Sequence, residues 1–216
     1  MKVYLDNAAT TPMDKVVSEV MLNVINDCYG NPSSIHEHGR KARTIIEKSR
    51  KKIAELLNVS PAEIFFTSGG TEADNMAIRQ PVEDLGIKRI ITTRIEHHAV
   101  THTVEELEKK GKVDVVWLPV SNDGSISLDE LEEQLKVPVP TLVSLMHANN
   151  EIGTMYPISI IGELCKKYQA LFHSDTVQTM GHYAMDLQKI SVDMITCSAH
   201  KLHGPKGIGF IYIRNN

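Results

Sequence analysis

The sequence predicts an α/β fold, a mostly parallel sheet covered by helices on both faces. Three observations point to it. β-Prone runs alternate with helical stretches from residue 63 to residue 213, the pattern of strands joined by crossover helices. The glycine-rich and polar motifs fall just after those runs, where ligands bind in such sheets. The 216 residues carry 42% apolar and 23% charged side chains, ordinary for a globular chain with a sizeable core.

The elements follow in order. Val3-Tyr4-Leu5 is short and β-prone, and Asp6-Asn7-Ala8-Ala9 reads as a turn. Thr11, Pro12 and Asp14 read as N-cap, first helical residue and N3 of a helix to about Asp27, with Val16, Val20 and Val24 on one face. Gly30-Asn31-Pro32 ends it. Ser34-x-x-Glu37 reads as a capping box, opening a long helix with Ala42, Ile45, Ile46, Ile53, Leu56 and Leu57 facing inward. Its Lys and Arg residues form a solvated face. Ser60-Pro61-x-Glu63 caps a short turn.

Alternation begins there. Strands are expected over Glu63–Thr67, Arg89–Thr93, Val113–Val120, Thr141–Met146, Leu171–Ser174, Met194–Cys197 and Phe210–Ile213. Helices are expected over Thr71–Ile78, stopped near Pro81, then His98–Lys110, a stretch capped by Ser127 and running to Lys136, and Ile158–Gln169.

Charge and composition exclude several classes. The net charge is −4 with no basic stripe, so nucleic-acid binding has no electrostatic support. No apolar run reaches membrane-spanning length, and MKVYLDNAATTP lacks the apolar region of a signal peptide. Three cysteines without a C-x-x-C pair point to a reducing cytoplasm.

The chemistry centres on 196-TCSAHKLHGPKGIGFIYIR-214. Lys201 lies between two β-prone runs, in a turn made bare by Gly204, Gly207 and Gly209. Desolvation lowers a lysine pKa, and a neutral amine attacks carbonyls, so Lys201 is the candidate Schiff-base lysine; the alternative is a solvated lysine in a turn. Ser198 and His200 beside it can hold an anion. Ser198-x-x-Lys201 also fits a penicillin-binding pattern, but the companion S-D-N and K-T-G triplets do not occur. Ser68-Gly69-Gly70-Thr71 joins a strand to a helix start, a place that favours negative charge. No G-x-G-x-x-G follows a strand, which speaks against a nicotinamide cofactor. Asp175 follows another strand and can pair with a cation; it can equally be a turn aspartate. His97 follows the Arg89–Thr93 strand. His98 and His102 are four apart on a helix, but too few further ligands are in sight for a metal.

Six runs resemble the cysteine desulfurases of the class V aminotransferase group: 4-YLDNAATTP-12, 67-TSGGTEADN-75, 96-EH-97, 147-HANNEIGT-154, 173-HSDTVQ-178 and 198-SAHKLHGPKGIG-209. They occur in the family's order and cover essentially the whole chain. The resemblance implies the large domain of fold-type I enzymes and pyridoxal 5'-phosphate as cofactor. By that likeness Gly70, Thr71, Ser198 and His200 would bind the phosphate, and Asp175 the ring nitrogen. Gln178 and Asn150 would face the ring hydroxyl, with Asn149 structural; His97 would stack on the ring and take part in proton transfer, and Lys201 would be covalently joined to the cofactor. Residues 1–15 would join a small domain, and 16–216 would form an incomplete cofactor domain. The nucleophilic cysteine, the substrate arginine and a phosphate ligand lent across a homodimer interface would lie in sequence beyond these residues. The implied activity converts L-cysteine to alanine and passes sulfur to acceptor or scaffold proteins, for iron–sulfur cluster or thio-cofactor synthesis. The alternatives are another class V enzyme, an aminotransferase or selenocysteine lyase, or a non-catalytic scaffold.

Overall fold

A computed structural model describes residues 1–215. Among them, seven strands form one sheet in the order β1-β7-β6-β5-β4-β2-β3. The strands are β1 (Ile64–Thr67), β2 (Arg89–Thr93), β3 (Asp114–Leu118), β4 (Thr141–Ser144), β5 (Leu171–Asp175), β6 (Met194–Ser198) and β7 (Gly209–Ile213). The central pairs are parallel. Only β7 runs against its neighbours, pairing antiparallel with both β6 and β1 among the described residues.

Side chains alternate across a strand, and here the alternation divides two cores. Ile91, Val143, Phe172, Ile195 and Tyr212 point to one face. It is covered by α2 (Glu37–Leu57), α5 (Leu128–Leu135) and α6 (Ile158–Lys167). Ile90, Leu142, Met194 and Ile211 point to the other face, covered by α3 (Gly70–Asp84) and α4 (His98–Lys109). The doubly covered, mostly parallel sheet expected from the alternation is what forms.

Several local expectations give way to tertiary contacts. The first helix, α1, spans Lys15–Asp27 and its N-cap is Asp14, whose side chain accepts from the Val16 N–H. Thr11 is otherwise engaged. Its N–H and hydroxyl both donate to the His200 carbonyl, at 2.8 and 2.9 Å, and its Oγ1 accepts from the His203 N–H at 2.8 Å. The Ser34 box does not form. His36 is the N-cap of α2 and its Nδ1 accepts from the Gly39 N–H, while the Ser34 N–H donates to Asn31. Leu56 points outward at 70% exposure, and Ala54 takes the core position. Helix α3 passes through Pro81 and runs one turn further to Asp84, because the Pro81 carbonyl still accepts from Leu85 and Ile87. Val3-Tyr4-Leu5 forms no strand. The Ser60–Glu63 capping box does form, around a 3-10 turn, and Ser127 caps α5.

Candidate functional site

Five connections leave the sheet on the side where β1, β2, β4, β5 and β6 end, and they converge on one cleft of about 250 Å³. Its lining includes Gly70 and Thr71 from the turn after β1, His97 after β2 and Asn150 after β4. Asp175 and Gln178 come from the end of β5, and Ser198, His200 and Lys201 from the end of β6. These are the nine residues singled out in the sequence, brought together from positions up to 131 residues apart.

The turn after β1 brings backbone close to the end of β6. Gly69 has φ +155°, a conformation that side chains rarely adopt. A Cβ added at Gly70 would lie 2.9 Å from Val177 Cγ2, and one at Gly209 would lie 2.2 Å from the Cys197 carbonyl oxygen. The first turn of α3 carries unpaired N–H groups, and the N-cap Gly69 supplies no side-chain bond to them. Ser198, buried at the end of β6, and Thr71 add hydroxyls beside that turn. His200, whose Nδ1 lies 3.1 Å from Thr10 Oγ1, completes the group. Uncapped amides with hydroxyl and imidazole donors suit a bound anion.

The opposite charge is provided for deeper in the cleft. Asp175 ends β5, buried, with Oδ1 accepting from the Val177 N–H at 2.8 Å. Burial, reinforced by the nearby Asp74 carboxyl, raises its pKa to about 7. A buried carboxyl in this position gains most from a cationic partner. The site therefore fits a group with an anionic end and a protonated ring nitrogen.

Lys201 sits in a 3-10 turn after β6 (Ala199–Lys201). Partial burial holds its pKa below the ordinary lysine value, opposed by Asp175 and Asp6. Its ammonium donates to the Ala8 and Ala9 carbonyls, the latter at 2.9 Å. Gln178 Nε2 also donates to Ala8, at 3.0 Å. His97 is the N-cap of α4, and its Nδ1 accepts from the Ala99 N–H at 3.1 Å. An accepting Nδ1 carries no proton, so the neutral ring holds its proton on Nε2. Burial also keeps the His97 pKa low.

The two asparagines differ in their contacts. Asn149 is buried, donates from Nδ2 to the Ile95 carbonyl and accepts at Oδ1 from the Glu151 and Ile152 N–H groups. Asn150 lines the cleft. His98 and His102 stack at 4.8 Å on α4, and among the described residues they belong to no metal-holding group. His182 and His203 contact Lys201 and Pro12 backbone carbonyls.

Three buried groups lie inside the runs quoted above but are not singled out there. Glu96 accepts from Thr93 Oγ1 and from the Met146 N–H. Asp74 accepts from Thr196 Oγ1 at 2.7 Å, and His173 lies beside it. One signal is available for Asp74, a carboxylate set among Ala73, Ala77 and Ile78 on the apolar stripe of α3.

Residues 3–216 match the aminotransferase class-V family. The chain is 47% identical over 215 residues to a protein of Dictyoglomus turgidum named cysteine desulfurase IscS, covering 99% of this chain and 54% of that protein. A solved structure described as a NifS-like protein superposes with a TM-score of 0.95 at 44% identity, over 100% of this chain and 60% of the other. A second, SspA in complex with cysteine, gives 0.92 at 37% identity, over 99% and 62%. The chain spans about half the length of the desulfurase it matches.

Proposed function

The chain belongs to the aminotransferase class-V family, and on that premise we propose that it is the cofactor-binding part of a pyridoxal-phosphate-dependent cysteine desulfurase. The observation that supports this most is the convergence of nine residues from five separate connections on one cleft. An anion cradle lies at one side of it and a buried carboxyl at its floor.

When bound, pyridoxal 5'-phosphate supplies an electron-accepting ring that stabilises negative charge at a substrate α-carbon. The Gly70 amide, Thr71, Ser198 and His200 would hold its phosphate. Asp175 would keep the ring nitrogen protonated. Gln178 and Asn150 would face the ring hydroxyl, and His97 would cover the ring. Lys201 would be the point of covalent attachment.

The residues then act as follows. Partial burial makes Lys201 release its proton more readily than a solvated lysine, so its Nζ can accept the substrate α-proton. The Ala8 and Ala9 carbonyls keep the charged amine at the cleft. His97, neutral with its proton on Nε2, can donate at the opposite side. L-cysteine as substrate draws support from the cysteine bound by the related SspA. Sulfur transfer to a protein acceptor or scaffold needs an exposed thiolate.

The reading extends to the whole protein. Residues 1–15 would join a small domain and 16–216 the cofactor domain of a homodimer, acting in the cytoplasm in iron–sulfur cluster or thio-cofactor synthesis. Among the described residues no helix is long and apolar enough to cross a membrane. The test is to add pyridoxal phosphate to the chain, reduce with borohydride and digest. A cofactor mass on the peptide containing Lys201 supports the proposal; no trapped mass contradicts it.

A further inference from the structure

Beneath Asp175 lies a second ionisable pair that the proposed chemistry does not use. Asp74 projects from α3, and His173 from β5, two residues before Asp175 and so toward the same face of the sheet. Both are essentially inaccessible, at 1% and 0% side-chain exposure. His173 Nδ1 is 2.9 Å from Ser144 Oγ. His173 Nε2 has no hydrogen-bond partner within the normal criteria, and the atom it faces is Asp74 Oδ1 at 3.5 Å. That carboxyl already accepts from Thr196 Oγ1 at 2.7 Å, and Thr196 stands opposite Asp175 in the β5–β6 register.

Two carboxylates and a histidine in so dry a place cannot take arbitrary charges. An isolated buried charge is costly, and a second carboxylate next to Asp175 would repel it. An ionised Asp74 could still accept from a neutral His173 with its proton on Nε2, but it would place a second buried negative charge beside Asp175, where burial and that carboxyl both oppose it.

We propose that Asp74 is a protonated carboxylic acid that donates its O–H to His173 Nε2, so that a neutral Asp74–His173 pair underlies Asp175 and leaves it as the carboxylate that meets a cationic ligand. Asp74 is then a positioning residue that acts through Asp175. His173 is the tautomer with its proton on Nδ1, donated to Ser144. Burial supports the assignment from both sides, raising the Asp74 pKa to about 7 and lowering that of His173 to about 4. The other ionisable groups around the pair are Asp175 at the end of β5, with Glu96 and His97 after β2 and Lys201 after β6.

The inference rests on the cofactor reading only for the purpose of the pair. The pair itself is tested on the 216-residue chain without cofactor. Nitrogen-15 NMR at pH 6 should find His173 neutral and protonated on Nδ1, and infrared difference against Asp74→Asn should show a carboxylic acid band lost in the variant. An imidazolium at His173, or a neutral His173 with its proton on Nε2 beside an ionised Asp74, would overturn the proposal. A second measurement compares stability with pH. An acid whose folded pKa is raised from 3.8 to about 7 binds an extra proton in the folded state between those values, so its contribution is complete at low pH and lost as pH rises. The folding constant of the wild type relative to Asp74→Asn should therefore grow about tenfold per pH unit as pH falls from 7 towards 4. Parallel profiles would overturn the proposal. With pyridoxal phosphate added, Asp74→Ala, which removes the group facing His173 Nε2, should bind at least about tenfold more weakly than the wild type. Asp74→Asn, which keeps a neutral donor there, should bind more tightly than Asp74→Ala; equal binding by Asp74→Ala and the wild type counts against the positioning role. Absence of binding to the wild type would instead overturn the cofactor reading, while the spectra still decide the pair.

Discussion

Asn149 Nδ2 donates to the Ile95 carbonyl at 2.7 Å, and this bond ties the loop after β4 to the loop after β2. A second bond, from the Met146 N–H to Glu96 at 2.9 Å, closes the same seam. The two loops carry Asn150 and His97 into the cleft, so neither side chain is placed by its own loop alone.

Asn149→Ala should therefore cost stability and binding together. It leaves the Ile95 carbonyl and two loop amides without partners, a loss of about 1–3 kcal/mol. Asn150→Ala should leave the chemical-denaturation midpoint within experimental scatter and reduce only cofactor affinity. Denaturation curves for the two variants, with pyridoxal phosphate titrations beside them, separate the roles. Equal stability losses would contradict the division.

Asp175→Asn should trade binding for stability. In the cofactor-free chain the Asp175 pKa is raised to about 7, so the folded state holds an extra proton between pH 3.8 and about 7. Its contribution to stability is full at low pH and is lost as pH rises through that window. The variant lacks this loss, so its melting temperature relative to the wild type should rise between pH 5 and pH 8. Its cofactor affinity should fall, because breaking a buried carboxylate–cation pair costs about 3–5 kcal/mol. A variant that binds as tightly as the wild type would contradict the role given to Asp175.

How the chain reveals itself follows from which contacts are local. The strands are legible because Ile90-Ile91 and Leu142-Val143 are buried on both faces, whatever their neighbours. Thr11 and Ser34 do not start helices because each residue has a better partner elsewhere, and for Thr11 that partner is 189 residues away. Leu56 and Ala54 exchange places because helical spacing alone does not reveal which stripe meets the sheet. The cleft residues stand out because their motifs resemble a known family, with the turns after strands giving independent support. Asp74 and His173 lie within two of those runs, but in a helix and a strand rather than in a turn after a strand, so nothing in the sequence marks them as partners. Their partnership exists only where α3 crosses β5.

The three thiols should be poor nucleophiles toward substrate sulfur. Cys165 and Cys197 are buried, and burial pushes the Cys165 thiol pKa up and that of Cys197 to about 12. Cys28 caps the end of α1 and lines neither cleft that contains Lys201. Iodoacetamide at pH 8 should label Cys28 first and the other two only on unfolding. The 216-residue chain given cysteine, pyridoxal phosphate and a reductant should release sulfide no faster than free cofactor. Faster release, abolished by mutating one of the three, would contradict this.

Gly209→Ala should be among the most damaging single changes in the sheet. Its Cβ would meet the Cys197 carbonyl oxygen at 2.2 Å and Gly69 Cα at 2.9 Å, both backbone atoms. Forcing β7 away from β6 and from the β1 turn should cost about 1–3 kcal/mol or more, read as a lower denaturant midpoint. An unchanged midpoint would show that the three strands are less closely packed than described.

The proposed function depends most on Lys201 as the residue to which cofactor becomes joined. The most direct measurement is borohydride reduction of the chain with pyridoxal phosphate, followed by peptide mass spectrometry, in the wild type and in Lys201→Ala. A cofactor mass is expected on the peptide containing Lys201, and is expected to be absent in the variant. The same mass on the neighbouring Lys206, or its persistence in Lys201→Ala, would contradict it.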